Sequence, residues 1–205
     1  MTIMLPGVQS SLQPALDTLP IGVGGPATGV GRSPSERIRN FSVTAQTPAA
    51  ATRTYLTGSA LAIPADGLKV GTKLSWTFNM TKTAAGSAAS TFDIAFGTAG
   101  TTADTAQVSF VKPAGTAAAD EAWVDIEARV QSVSATGVVV GEFAMTHNLS
   151  ATGHATIPSV NVNTVSAGFD NRAVTLNPGF VGICLTSGAA DAITVSFMDA
   201  EMNYV

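Results

Sequence analysis

From Tyr55 onward the chain alternates hydrophobic and polar residues with a period of two. Leu74, Trp76, Phe78 and Met80 are interleaved with Ser75, Thr77 and Asn79. Phe92, Ile94 and Phe96 alternate with Asp93 and Ala95, and Val108 and Phe110 are flanked by Gln107 and Ser109. Ala122, Val124, Ile126, Ala128 and Val130 oppose Trp123, Asp125, Glu127 and Arg129. Phe143, Met145 and Leu149 oppose Glu142, Ala144 and Thr146, while Ile193, Val195 and Phe197 oppose Thr194 and Ser196. Successive side chains of a strand point to opposite faces, so each run, bounded by Gly, Pro, Asn or Asp, predicts a half-buried strand of an antiparallel sheet. A change of phase between Val140 and Phe143 predicts a β-bulge near Gly141. No segment after residue 55 has a 3.6-residue period. About eight short strands in roughly 150 residues predict an all-β fold, an antiparallel β-sandwich of jelly-roll-like form over residues 54–205.

Residues 1–53 follow a different pattern. Pro6, Pro14, Pro20, Pro26, Pro34 and Pro48 fall here, and the only charge in residues 1–31 is Asp17. "LPIGVGGPATGVG" (19–31) holds too many Gly and Pro for a helix or a central strand. Its Leu, Ile and Val set it apart from a solvated tail. The reading is an extended N-terminal arm that lies across a neighbouring subunit, with Leu5, Leu12, Leu16 and Ile21 as candidate contacts. Ser33 as N-cap, Pro34 at the first helical position and Glu36 three after the cap predict a short helical turn near residues 33–40. Arg32, Arg37, Arg39 and Arg53 cluster within or beside it, either pairing with acidic groups of a partner or forming a solvated face.

Charged residues make up only 12% of the 205-residue chain, against roughly 25% in ordinary soluble domains. A surface with so little charge is expected to be covered by other subunits. No stretch reaches the roughly 18 apolar residues of a spanning helix, so no membrane partner is expected. The N-terminus lacks the basic flank of a signal peptide. A net charge of −4 gives no electrostatic reason to expect nucleic-acid binding. The single cysteine, Cys184 in "VGICLT", reads as a small buried hydrophobe.

Candidate chemistry is sparse. "FGTAGTTADTA" (96–106) has the glycines of a phosphate loop, but a strand follows it where a helix N-terminus is needed. A calcium loop needs several carboxylates at alternating positions; Asp104 stands alone, and Asp120 and Glu121 are adjacent and diverge on a strand. Both Asp104 and Asp120 therefore read as organisers of turns. His147 and His154 are the only histidines, and His147 shares the parity of Phe143 and Met145, which favours a hydrogen-bonded core histidine over a metal ligand. No nucleophile elbow appears, and Asp125 and Glu127 alternate with a hydrophobic row as solvent-facing residues do. No catalytic residue, metal or cofactor is expected. Trp123 lies on the polar side of its strand and is the candidate subunit or ligand contact.

"LKVGTKLSWTFNMTKTAAG", "FDIAFGTAGTTADTAQVSF", "KPAGTAAADEAWVDIEA" and "GEFAMTHNLSATGHA", with "SAGFD" and "TSGAADAITV" after them, resemble a β-rich module of tailed-bacteriophage virion structural proteins. The resemblance covers residues 54–205 and leaves the arm outside. It implies a structural, non-enzymatic role in the virion, as a capsid decoration or cement protein, with assembly in the host bacterial cytoplasm. It further implies a homotrimer held by the arm to neighbours such as the major capsid protein. The alternative it implies is a tail-fibre or baseplate module that binds a host-surface glycan, with Trp123 and Tyr55 as the available aromatics.

Overall fold

A computed structural model describes residues 36–83, 86–149, 152–188 and 192–204. Every regular element among them is a strand. The larger sheet holds β1 (Glu36–Ser42), β4 (Lys73–Lys82), β7 (Asp120–Val130), β8 (Val139–His147), β9 (Ser159–Val165) and β11 (Ile193–Tyr204), in the order β1-β11-β4-β7-β8-β9. The smaller holds β2 (Thr54–Tyr55), β5 (Ser90–Gly97), β6 (Thr105–Lys112) and β10 (Gly179–Thr186), in the order β2-β10-β5-β6, with β3 (Leu61–Ile63) also on β10. The two antiparallel sheets pack face to face as a β-sandwich.

The pairings are nested. β5 pairs with β6, β4 with β7, β2 with β10 and β1 with β11. That is one long hairpin rolled into two sheets, the strand order of a jelly roll. β8 and β9 extend the larger sheet beyond β7.

The two-residue period produces the core directly. Leu74, Trp76, Phe78 and Met80 of β4 are fully buried and face Phe92, Ile94 and Phe110 from the other sheet. Phe143 sits in the middle, its ring centroid 5.0 Å from that of Phe92 and 6.0 Å from that of Phe110. Truncating one of these rings to Ala should cost about 3–5 kcal/mol, the usual penalty of a core aromatic. The buried Trp76 indole donates Nε1–H to the Ser59 carbonyl at 2.8 Å, which satisfies its one polar atom.

Four expectations are corrected. Residues 36–40, expected in a helical turn, form strand β1 instead; residues 33–35 lie outside the described residues. The free edge of β11 outweighs the capping signature: Arg37 pairs with Glu201 and Arg39 with Asp199 on that strand, while Ile38 packs on the core. Arg37–Val205 form one compact unit, so the sandwich begins well before residue 54.

The bulge expected near Gly141 is absent. Val139, Gly141, Phe143, Met145 and His147 keep one unbroken inward phase. Gly141 is a core position left without a side chain, because a Cβ there would lie 2.7 Å from Phe110 Cζ and 3.0 Å from Val108 Cγ1. The register slips elsewhere, between Ile94 and Ala95 and between Val195 and Phe197. The second slip breaks the expected grouping of Phe197 with Ile193 and Val195. Met198, Ala200, Met202 and Tyr204 take over the inward phase, and Phe197 turns outward.

Candidate functional site: an apolar face and a buried polar end

The outer face of the larger sheet is read in rows across its strands. One row runs Phe197–Asn79–Trp123–Thr146–Ser159. Trp123 is 48% exposed and its ring meets Phe197 at a centroid distance of 5.3 Å. Beside them, Arg39, Phe41, Ser42, Val43, Phe197, Met198 and Asp199 line a shallow groove. Phe41 and Val43 are 69% and 78% exposed. Trp123, Phe197, Phe41 and Val43 thus make an apolar patch around the end of the edge strand β1. Large apolar side chains clustered on a surface mark a contact site, whereas scattered ones do not.

The next rows on this face are acidic: Asp199, Thr77 and Asp125, then Glu201, Ser75, Glu127 and Glu142. Much of this charge is answered within the chain. Arg39 Nη2 lies 2.8 Å from Asp199 Oδ2, Arg37 Nε 3.2 Å from Glu201 Oε1, and Lys73 Nζ donates to Glu127 Oε1. All are exposed or half-exposed, where an ion pair is worth about 0–1 kcal/mol. Arg37 and Arg39, candidates for a partner's acids, are therefore already engaged with β11. Leu5, Leu12, Leu16, Ile21 and Arg32 lie outside the described residues.

A second concentration of polar groups closes one end of the sandwich from inside. The inward rows of β4 and β6 end on lysines, Lys82 after Met80 and Lys112 after Phe110, and both are buried. Carbonyl oxygens solvate the two ammonium groups. Lys82 Nζ donates to Gly86 O at 2.6 Å, Gly153 O at 3.1 Å and Thr116 O. Lys112 Nζ donates to Pro113 O at 2.9 Å and His154 O at 2.5 Å. Asp120 supplies the negative charge. Its Oδ2 accepts from His147 Nδ1 at 2.6 Å and from the His154 amide at 3.1 Å, and its Oδ1 from the amides of Glu121 and Leu149. Burial pushes the Asp120 carboxyl up, but these donors outweigh it and hold the group below the usual carboxylate range. His147 Nε2 faces the Ile157 carbonyl at 2.7 Å.

His147 is thus a buried, hydrogen-bonded histidine, as its parity suggests. His154 differs: it is fully buried and neither ring nitrogen has a hydrogen-bond partner. Burial drives its imidazole down to about 4, with Lys112 and Lys82 adding to the effect and Asp120 opposing it. The Met80 backbone also favours the charged form without reaching hydrogen-bond geometry.

The other turn aspartate, Asp104, does what turn chemistry asks of it. Its carboxylate accepts from the amides of Ala99 at 3.0 Å and Gly100 at 2.8 Å, and Gly100 has φ +63°. Arg53 straps this loop to the smaller sheet, donating to Thr102 O, Asp104 O and Asp93 Oδ2. Tyr55 is half-buried and packs its hydroxyl over Gly182, where a Cβ would lie 2.1 Å away. Cys184 is buried and its thiol is pushed up to about 11, mainly by burial, which leaves it inert as a nucleophile. Among the described residues no group of three or more His, Cys, Asp or Glu side chains could hold a metal ion.

Sequence reasoning found Trp123 and missed Phe197, Phe41 and Val43, as well as both buried lysines. The lysines carried a signal, since each continues the inward phase of its strand by one more step. Phe197 carried none, because its outward turn depends on the bulge. No protein-family model matches this sequence, and no curated protein does either.

Proposed function

We propose that the chain is a non-enzymatic structural protein of a bacteriophage virion, a capsid decoration or cement protein. It forms a homotrimer on the particle surface, and the residues preceding the sandwich anchor it to neighbours such as the major capsid protein. The apolar patch of Trp123, Phe197, Phe41 and Val43 is the observation that carries this reading. It lies on an open sheet face rather than in a cleft, which suits a macromolecular contact better than a small substrate. The low charge of the chain and the sequence resemblance of residues 54–205 to virion modules support the same setting.

The test is deletion of residues 1–35, stopping short of β1, in particles that otherwise lack the chain. The truncated protein should fold and oligomerise but remain off the particles. Normal incorporation would overturn the anchoring role. In the full-length protein, Trp123→Arg with Phe197→Asp should shift sedimentation from trimer to monomer.

The second reading is a tail-fibre or baseplate module that binds a host-surface glycan. Its support is the half-exposed Trp123 ring beside the hydrogen-bonding side chains of Asn79 and Thr146 in the same row. Binding of the purified protein to host cells, abolished by Trp123→Ala while the sedimentation coefficient is unchanged, would select this reading over the first.

A further inference from the structure

We infer that the segment 152–158 is an acid-released latch, held shut over the end of the sandwich by a neutral His154 and let go when that ring gains a proton. The closed state is built from many contacts. Gly153 O and His154 O accept from Lys82 and Lys112, and the His154 amide donates to Asp120. The Ile157 carbonyl accepts from His147. Gly153 N donates to Thr116 Oγ1 at 2.8 Å, and Thr116 N returns a bond to Gly153 O.

Every charged or titratable group facing the ring bears on its protonation. Lys112 from β6 and Lys82 from β4 repel a positive imidazole, and Asp120 from β7 attracts it. His147 from β8 stands edge-on at a centroid distance of 6.4 Å. Asp120 is the only carboxylate among them, and it already serves four donors. A proton on His154 therefore adds positive charge beside Lys82 and Lys112 at a buried site where the facing carboxylate is already engaged. Neither ring nitrogen makes a hydrogen bond there, and burying a charge without such bonds is costly.

Moving 152–158 into water relieves that state and leaves both sheets intact, since no strand includes these residues. The His147–Asp120 pair belongs to β8 and β7 and lies outside the segment that moves. Mild acid is thus directed at one segment rather than at the whole fold.

The experiment is hydrogen–deuterium exchange of the full chain at pH 7 and pH 5, read as protection factors so that the intrinsic pH dependence of exchange divides out. With a closed-state value of about 4 and an open-state value near the ordinary histidine one, protection in 152–158 should fall about twenty-fold over this range. Protection in β4 and β7 should not change. His154→Gln should abolish the pH effect. Equal protection at both pH values, or an equal fall in the variant, overturns the inference. If the variant does not fold, imidazole NMR of the unmodified protein decides. A His154 ring still neutral at pH 6 upholds the latch, and one already charged there with 152–158 closed sinks it.

Discussion

Trp123 and Phe197 meet across Asn79 with ring centroids 5.3 Å apart, and they meet because β11 slips register between Val195 and Phe197. A single irregularity in the last strand thus moves an aromatic ring from the core side to the surface and gives Trp123 a companion. Such a pair is worth about 0.5–1.5 kcal/mol beyond its area. Trp123→Ala should therefore lower the urea-unfolding free energy by about 0.5–1.5 kcal/mol for the ring pair, on top of the apolar area that the half-buried indole loses. Iodide quenching is the companion measurement: Trp76 is fully buried, so the accessible fluorescence of the monomer belongs to Trp123. Quenching that persists in Trp123→Ala would contradict this assignment.

Gly141 leaves room in the core for the ring of Phe110. Gly141→Ala puts a methyl group 2.7 Å from Phe110 Cζ and 3.0 Å from Val108 Cγ1. Overpacking of this kind costs about 1–3 kcal/mol. The denaturant midpoint should drop with an unchanged m-value, and a neutral result would mean that the two sheets sit farther apart than described.

Lys82 and Lys112 hold loop carbonyls at the buried end of the sandwich. Removing a buried donor costs about 1–3 kcal/mol for the groups it leaves behind. Lys82→Met and Lys112→Met should each destabilise the protein by that order, the former more because it bridges Gly86, Thr116 and Gly153. Equilibrium unfolding in urea checks both. A stabilised Lys82→Met would show that the ammonium is a burden the fold tolerates rather than a clasp it needs.

Asp120 sets the stability of the protein in strong acid. Its folded value lies below the ordinary carboxylate value, so the unfolded chain binds the proton more readily and stability rises with pH through that interval. The contribution is complete above about pH 4, the ordinary carboxylate range, and is lost as pH falls through the depressed folded value. Thermal midpoints between pH 2 and pH 5 should fall steeply in the unmodified protein and more gently in Asp120→Asn. Parallel curves would assign the acid limb to other carboxylates.

Much of this architecture was legible in the alternation alone. The inward rows Leu74–Met80, Phe92–Phe96 and Ala122–Val130 fill the core as read, and both loop aspartates bind local amides. The failures have a common physical source. Ser33, Pro34 and Glu36 state a local preference, but β1 is decided by an edge more than 150 residues away, through contacts such as Arg39 to Asp199, |i−j| 160. Phe197 and Gly141 likewise depend on what stands across the sheet or across the core. The patch was half legible for this reason: Trp123 followed parity and its neighbours did not. The buried lysines were legible but disguised, because a charged residue at the end of an apolar row is ordinarily taken for its exit into solvent.

The nesting of strand pairs also sets an order in time. The pair β5–β6 closes a short loop, β4–β7 a longer one around it, and β1–β11 encloses nearly the whole described chain. Each closure is cheaper once the one inside it is made, so assembly should run outward from the β5–β6 turn, with slow kinetics set by distant partners. Mutational φ-values should be high in β5 and β6 and near zero in β1; the reverse ranking would refute this order. The first described strand is then the last to dock, so the edge of the larger sheet at β11 stays open until the rest of the domain is complete.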